Sequence, residues 1–421
     1  MTTRVGVIGL GYVGLPLSLA MQEAGFEVIG VDVDAETVDR LTRGESTVND
    51  IDDETVKRAL DDGLQFSTEY EALSSVDAVS ICVPTPLRKT DSPDLSFVVD
   101  AAERLAPALP TGCTVVLEST VYPGATREVV GETLAQNGIT IGKDLYLAFS
   151  PERIDPGNEE YGPTEIPKVL GGVTEDCGDH AQAIYEQVFD EVVRVNSATE
   201  AELVKLLENT FRAVNIGLIN ELAQVAHELD VDIWSVIDAA ATKPFGFMSF
   251  YPGPGLGGHC IPVDPFYLSW KANQQGIDTR FIDLADTVNR EMPAHVVQRV
   301  VEQLNERGTA LSTADVLVVG VAYKPDVSDT RESPALDIIS QLEDWHAEIS
   351  YHDPHVPEFD VLGETYESVP LTRERLENAD CVVLATDHSA LDLDMIVEQA
   401  DLVFDTRNAT KEFERDNIVR L

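Results

Sequence analysis

Cations are scarce in this sequence relative to anions. Its 421 residues carry 29 Lys+Arg against 75 Asp+Glu, a formal net charge of −46, and only 9 of the cations are Lys. Proteins that bind nucleic acid neutralise phosphates with clusters of Lys and Arg, so a nucleic-acid partner is excluded. Long apolar runs are missing as well. No stretch reaches the roughly 18 uninterrupted apolar residues of a membrane helix, and the N-terminus opens directly on a strand-like run. A soluble, cytoplasmic protein with no membrane partner is therefore expected. Cysteine is sparse: Cys82, Cys113, Cys177, Cys260 and Cys381 are odd in number and have no CxxC spacing. In a long intracellular chain this argues against a disulfide framework or a zinc site, so no metal is expected, and it leaves room for one reactive thiol.

The acid excess is spread through all regions rather than gathered in a tail. A uniformly acidic, lysine-poor surface is an adaptation to concentrated salt, trading self-repulsion for solubility. With 43% hydrophobic residues the chain can build packed cores, and its length suggests two or three domains.

The fold class reads as α/β, two Rossmann-like halves around a helical middle. Arg4–Ile8 is a short apolar strand, followed by a Gly-rich turn, the helix Val13–Ala24 and a strand Glu27–Val31 that ends at Asp32. Ala78–Val83, Thr114–Glu118, Tyr146–Phe149 and Val192–Val195 are further buried strands, separated by helical segments, which gives a mostly parallel sheet. Thr199 and Glu202 form a capping box for a long helix to about Leu229. A Pro/Gly-rich loop, Lys243–Pro265, and a second long helix, about Leu284–Glu306, follow. From Asp315 the alternation resumes: strand Asp315–Val319, helix Ala335–Trp345, strand Glu348–His352 ending in Asp353, then strands Cys381–Ala385 and Leu402–Asp405. The last unit repeats the first in outline. Boundaries fall near residues 198 and 310, giving segments 1–198, 199–309 and 310–421.

Gly9-Leu10-Gly11-Tyr12-Val13-Gly14 lies between a strand and a helix, the context of a dinucleotide site. Gly9 allows the tight turn, Gly11 lets backbone approach a pyrophosphate, and Gly14 lets the helix pack close, with its N–H groups facing phosphate charge. Asp32, 18 residues past Gly14, can accept hydrogen bonds from both ribose hydroxyls. A 2′-phosphate would meet Asp32 and Asp34 as like charges, so NAD is favoured over NADP. Thr85, after the fourth strand, and Thr120, after the next, can reach the cofactor or a reacting oxygen; ordinary turn and cap chemistry is the other reading of both.

Gly253–Pro265 holds four glycines directly before Cys260. Cys82, Cys113 and Cys381 sit in or beside apolar strands as small hydrophobes, and Cys177 lies in a polar turn. Cys260 alone has the surroundings of a nucleophile. Lys205 and Asn209, four apart, share one face of the central helix, where an ammonium and an amide suit a developing oxyanion. A solvated helix face is the alternative for Lys205.

These motifs, with Ser150-Pro151-Glu152-Arg153, Gly257–Asp264, Lys324-Pro325 and Asp329–Ser333, resemble the UDP-glucose/UDP-N-acetylhexosamine 6-dehydrogenase family over essentially the whole chain. The resemblance implies an NAD-binding domain, a helical middle that makes a homodimer and carries the Cys260 loop, and a C-terminal UDP-sugar-binding domain. It implies a four-electron oxidation of the sugar C6 alcohol to a carboxylate through a thiohemiacetal and a thioester on Cys260. Asp264 with Thr120 would position or activate water, and Lys205 with Asn209 would stabilise the oxyanion. Glu152 matches a carboxylate used in acid/base or hydrolytic work, although Pro156 stands where many relatives carry a second Glu. Arg153, Tyr251, Gly257, His259 and Lys324 fall at substrate-binding positions, and Arg331 at a cofactor-side position near where the domains meet. His259 before the thiol and Ile261-Pro262-Val263-Asp264 after it are similar to the UDP-N-acetylglucosamine 6-dehydrogenase branch, with UDP-N-acetylmannosamine and UDP-glucose as alternative substrates. His259 could contact ligand or simply hold the loop. Two other readings remain: a one-step hydroxyl dehydrogenase, which needs no thiol, and a non-catalytic nucleotide-sugar or NAD-binding protein.

Overall fold

The computed structural model describes residues 2–48, 51–88, 90, 92–154, 162, 164–258, 260–361 and 363–421. The chain divides into two compact units: Met1–Glu208 with Phe266–Asp278, and Asn209–Pro265 with Thr279–Leu421. No described helix is long and apolar enough to cross a membrane.

The described residues of the first unit form an eight-stranded sheet in the order β3-β2-β1-β4-β5-β6-β7-β8. The strands are β1 (Arg4–Ile8), β2 (Glu27–Val31), β3 (Gln65–Ser67), β4 (Ala78–Ile81), β5 (Cys113–Leu117), β6 (Leu145–Phe149), β7 (Lys168–Gly172) and β8 (Val192–Arg194). Val5–Ile8, Ala78–Ile81 and Cys113–Leu117 are buried throughout, as expected of parallel strands covered on both faces. One pairing breaks the parallel rule. β7 runs antiparallel to β6, with Ala148 opposite Gly172 and Phe149 opposite Gly171. The reversal brings the start of β7, Lys168, to the edge where β5 and β6 end.

The helix Ala198–Glu228 belongs to the first unit through Glu208 and to the second from Asn209. Its start corrects the capping assignment. Ser197 Oγ accepts the Glu200 N–H at 3.2 Å, and Glu200 accepts the Asn196 N–H at 2.9 Å, so the box sits two residues earlier. Glu202 is drawn away because it faces inward, only 1% exposed, and accepts the N–H groups of Gly124 and Thr126.

The second unit holds a five-stranded parallel sheet in the order β10-β9-β13-β14-β15. Its strands are β9 (Asp315–Val319), β10 (Glu348–His352), β13 (Cys381–Leu384), β14 (Val403–Asp405) and β15 (Ile418–Arg420). A hairpin of β11 (Glu358–Val361) and β12 (Glu364–Glu367) stands apart from that sheet. Met292, Val296 and Val300 of helix Arg280–Glu306 pack with Val316, Val318, Ile338 and Phe404 in its core. The duplication read in the sequence extends to the turns. Gly9 N–H donates to Val31 O at 2.8 Å, and Gly320 N–H donates to His352 O at 2.8 Å.

Candidate functional site

In the first unit the glycine turn is fixed by sterics. Gly9 has φ +88°, and a Cβ on Gly14 would lie 1.8 Å from Gly9 O, so neither position admits a side chain as built. A Cβ on Gly11 would meet open space, which is the room a pyrophosphate needs. Tyr12 is exposed and Val13 half-buried just before helix Gly14–Glu23. Asp32 closes β2, where its carboxylate accepts the Leu10 N–H at 2.8 Å and the Asp34 N–H at 2.9 Å. Open backbone over Gly11 and a carboxylate at the strand end fit an NAD cofactor. Thr85 is buried, with its carbonyl accepting from Tyr267 OH. Ser119 Oγ donates to Val83 O at 2.7 Å, tying the Thr120 loop to the β4 end.

Beside these loops lies a buried charge cluster around Glu152 whose central cation, Lys168, the sequence reading missed. Lys168, 3% exposed, donates to Glu118 at 2.7 Å and to Glu152 at 2.8 Å. The second oxygen of Glu118 accepts from Tyr185, whose hydroxyl also bonds Ser80. The second oxygen of Glu152 accepts the Arg153 and Ile154 N–H groups. Burial pushes the Glu152 carboxyl up, but the Lys168 ammonium and these hydrogen bonds outweigh it and hold it below its ordinary value. Burial wins at Glu118, whose carboxyl is raised despite Lys168. Glu152 is thus a fixed carboxylate with both oxygens engaged, a poor candidate for proton shuttling but a firm support for the β6 end. Arg153 forks onto Glu208 and bonds Pro167 O. The available signal was a scarce lysine opening an apolar run, Lys168-Val169-Leu170.

Lys205 and Asn209 are both half-buried, one turn apart on the long helix. In the second unit Asn209 Nδ2 donates to Asp264 Oδ2 at 2.6 Å, joining two residues selected from sequence. Asp264 is 2% exposed and opens the helix Asp264–Gln274; its N–H donates to Cys260 O at 2.8 Å. Cys260 is exposed, whereas the other four cysteines are buried. Burial raises the thiols of Cys82, Cys113 and Cys381, which suits packing rather than attack.

The loop glycines serve the protein as much as any ligand. A Cβ on Gly257 would lie 2.6 Å from Tyr323 Cβ, and Gly258, at φ +83°, donates its N–H to Arg331 O at 2.9 Å. Close packing on the segment carrying Tyr323 and Arg331 therefore demands both. Lys324 is half-buried; Arg331 is exposed and paired with Asp329 at 2.6 Å. Tyr251 is exposed, donates to Asp238 at 3.2 Å and stacks on Trp234. His259 lies outside the described residues.

Three segments of the chain match one family: residues 3–189 its NAD binding domain, 199–291 its central domain and 317–412 its UDP binding domain. The UDP-N-acetyl-D-mannosamine dehydrogenase of Pyrococcus horikoshii is 35% identical over 387 residues, covering 91% of this chain and 89% of that one. The UDP-N-acetyl-D-glucosamine 6-dehydrogenase of Pseudomonas aeruginosa is 34% identical over 388 residues, covering 92% and 90%. A solved structure of the UDP-D-ManNAc dehydrogenase from Pyrococcus horikoshii superposes with a TM-score of 0.89 at 32% identity, covering 99% of this chain and 98% of that chain. The chain is an NAD-dependent UDP-sugar dehydrogenase and belongs to the UDP-glucose/GDP-mannose dehydrogenase family.

Proposed function

We propose that this enzyme oxidises the C6 alcohol of a UDP-N-acetylhexosamine to a carboxylate in two oxidations, through a covalent adduct on Cys260. The observation that carries the reading is the single exposed thiol beside a turn that leads directly into buried Asp264. NAD, when bound, accepts the hydride in each oxidation. The first oxidation removes a hydride and a proton from the alcohol and leaves an aldehyde. Cys260 Sγ then adds to the aldehyde carbon, forming a thiohemiacetal. Loss of a second hydride and proton gives a thioester, and water cleaves its C–S bond, releasing the acid and the thiol. Lys205 and Asn209 supply positive charge and N–H donors for the oxygen that becomes negative when the thiolate, and later water, adds. Asp264, oriented by Asn209, and Thr120 are the proposed partners of that water.

UDP-N-acetylglucosamine is the first substrate expected, from the residues flanking Cys260. UDP-N-acetylmannosamine is the second, favoured by the 35% identity to the Pyrococcus enzyme. A homodimer through the central helix is part of the proposal. Phe211, Leu218, Leu222, Val225 and Leu229 are all exposed at helical spacing, an apolar stripe that water penalises and a second copy would cover.

The test is stoichiometry with a panel of UDP-sugars. Wild type should yield two NADH and one acid per sugar consumed. Cys260→Ala should make no acid, and Cys260→Ser very little, because a hydroxyl lacks the accessible ionisation of a thiol with pKa about 8.5. One NADH with a free aldehyde overturns the second oxidation and favours a one-step dehydrogenase, whereas uronate made by Cys260→Ala near the wild-type rate overturns the covalent route.

A further inference from the structure

Both units carry an aspartate after their second strand, Asp32 after β2 and Asp353 after β10. Each accepts the N–H just beyond the turn glycine, Leu10 to Asp32 at 2.8 Å and Val321 to Asp353 at 2.7 Å. What else reaches them differs. Asp32 is half-buried, and it also accepts the neighbouring Asp34 N–H. The Asp353 side chain is wholly enclosed. Its Oδ2 also takes the Ala322 N–H and His388 Nε2 at 2.9 Å, and its Oδ1 takes the His355 and Val356 N–H groups. With both oxygens saturated by protein, Asp353 has no capacity for ribose hydroxyls.

His388 is the bridge. It is 3% exposed, and its Nδ1 accepts the Asp326 N–H at 3.0 Å. A ring that accepts at Nδ1 carries its proton on Nε2, so it donates to Asp353 while accepting from Asp326. Asp326 needs the support: its φ of +60° is left-handed, a conformation unfavourable for a residue other than glycine. Ser389 fixes its carboxylate through N–H at 2.8 Å and Oγ at 3.0 Å. Asp326 follows Lys324-Pro325 directly, so whatever holds Asp326 sets the path of that turn.

We propose that His388 is a positioning residue: oriented by Asp353, it pins the Lys324–Asp326 turn in the shape that receives the nucleoside diphosphate of the substrate. The proposal rests on the second unit being the UDP-binding half. The same carboxylate position that reads a ribose in the first unit becomes an internal brace in the second. Asp326, His355 and His388 also bring ligand-type atoms within 4.8 Å of one another, the spacing of a metal site. An ion there would need the Nδ1 lone pair that the Asp326 N–H already occupies, so the brace and a metal are mutually exclusive.

Calorimetric titration of the intact chain with UDP, and separately with NAD, tests this on wild type, His388→Asn and His388→Gln. The Asn amide oxygen superposes on the position of Nδ1 and keeps an acceptor for Asp326; the Gln amide reaches Asp353 but leaves the Asp326 N–H unpaired. UDP affinity should fall roughly tenfold in His388→Gln, the size of one buried hydrogen bond, and by no more than about threefold in His388→Asn. NAD affinity should hold in both. Equal UDP affinity in all three, equal losses in both variants, or a parallel loss of NAD affinity overturns the proposal. So does a zinc-induced rise in melting temperature of wild type that His388→Asn abolishes. If His388→Gln does not fold, Ser389→Ala takes its place, with an expected loss of about three- to fivefold in UDP affinity and an unchanged affinity as the overturning result. A wild type that binds no UDP refutes the reading of the unit itself, whereas a wild type that binds it alongside unaffected variants refutes only the role of His388.

Discussion

Asp32 stands where chemistry and packing meet, and replacing it separates the two. Its carboxylate holds the Leu10 and Asp34 N–H groups while presenting negative charge beyond the sheet edge. Asp32→Ala should lower the preference for NAD over NADP, in kcat/KM, by at least about tenfold, since a like-charge repulsion against the 2′-phosphate is lost. It should also cost about 1–3 kcal/mol of stability by stranding the Leu10 N–H. A wild type that uses both cofactors equally well would refute the role given to Asp32. Residues of this kind were legible in the sequence because their signal is local: Gly9, Gly11, Gly14 and Asp32 lie within one βαβ span. Cys260 was legible for the same reason, as a thiol set in a glycine run. Lys168 was not, because its two carboxylate partners lie 50 and 16 residues away and meet it only through strand pairing.

Strand positions in β1, β2, β9 and β10 were readable to the residue, since buried apolar runs mark them. Strand direction is another matter. An apolar run has no arrow, so nothing in Lys168–Gly172 announced a strand antiparallel to β6. Helix Asp264–Gln274 takes in the last two residues of the Pro/Gly-rich loop read from the sequence, because Pro265 is acceptable in a first turn, where its missing N–H is not needed. Glu202 is the anchor of the long helix in the first unit, gripping Gly124 and Thr126, and burial raises its pKa from 4.5 to about 7. The folded chain therefore holds this proton more tightly than the unfolded one. Its stabilising contribution is complete below pH 4.5 and is lost as pH rises through about 7. The unfolding free energy of wild type minus that of Glu202→Gln should fall by roughly 3 kcal/mol or less between pH 5 and 8. Denaturant unfolding at a series of pH values reads this directly, and a difference independent of pH would show that Glu202 is ionised throughout.

At the scale of the whole chain a net charge of −46 works against both compaction and association. Screening shortens from about 10 Å at 0.1 M salt to about 3 Å at 1 M, so added KCl should raise the thermal midpoint. Sedimentation over the same series should show the dimer fraction rising, because two like-charged copies must approach along the apolar stripe. A midpoint that is flat or falls with salt would remove the case for a salt-adapted surface. A chain that stays monomeric at every salt concentration would leave the stripe without its proposed partner. The 31-residue helix Ala198–Glu228 adds a constraint of another kind, one of phase. One residue inserted between Lys205 and Asn209 would lengthen it by about 1.5 Å and rotate everything beyond by about 100°, moving the amide off the ammonium's face. Seven inserted residues would restore the rotation to within about 20° but displace the amide by about 10 Å. For the two proposed donors the number of residues between them is therefore locked like the tooth count of a gear.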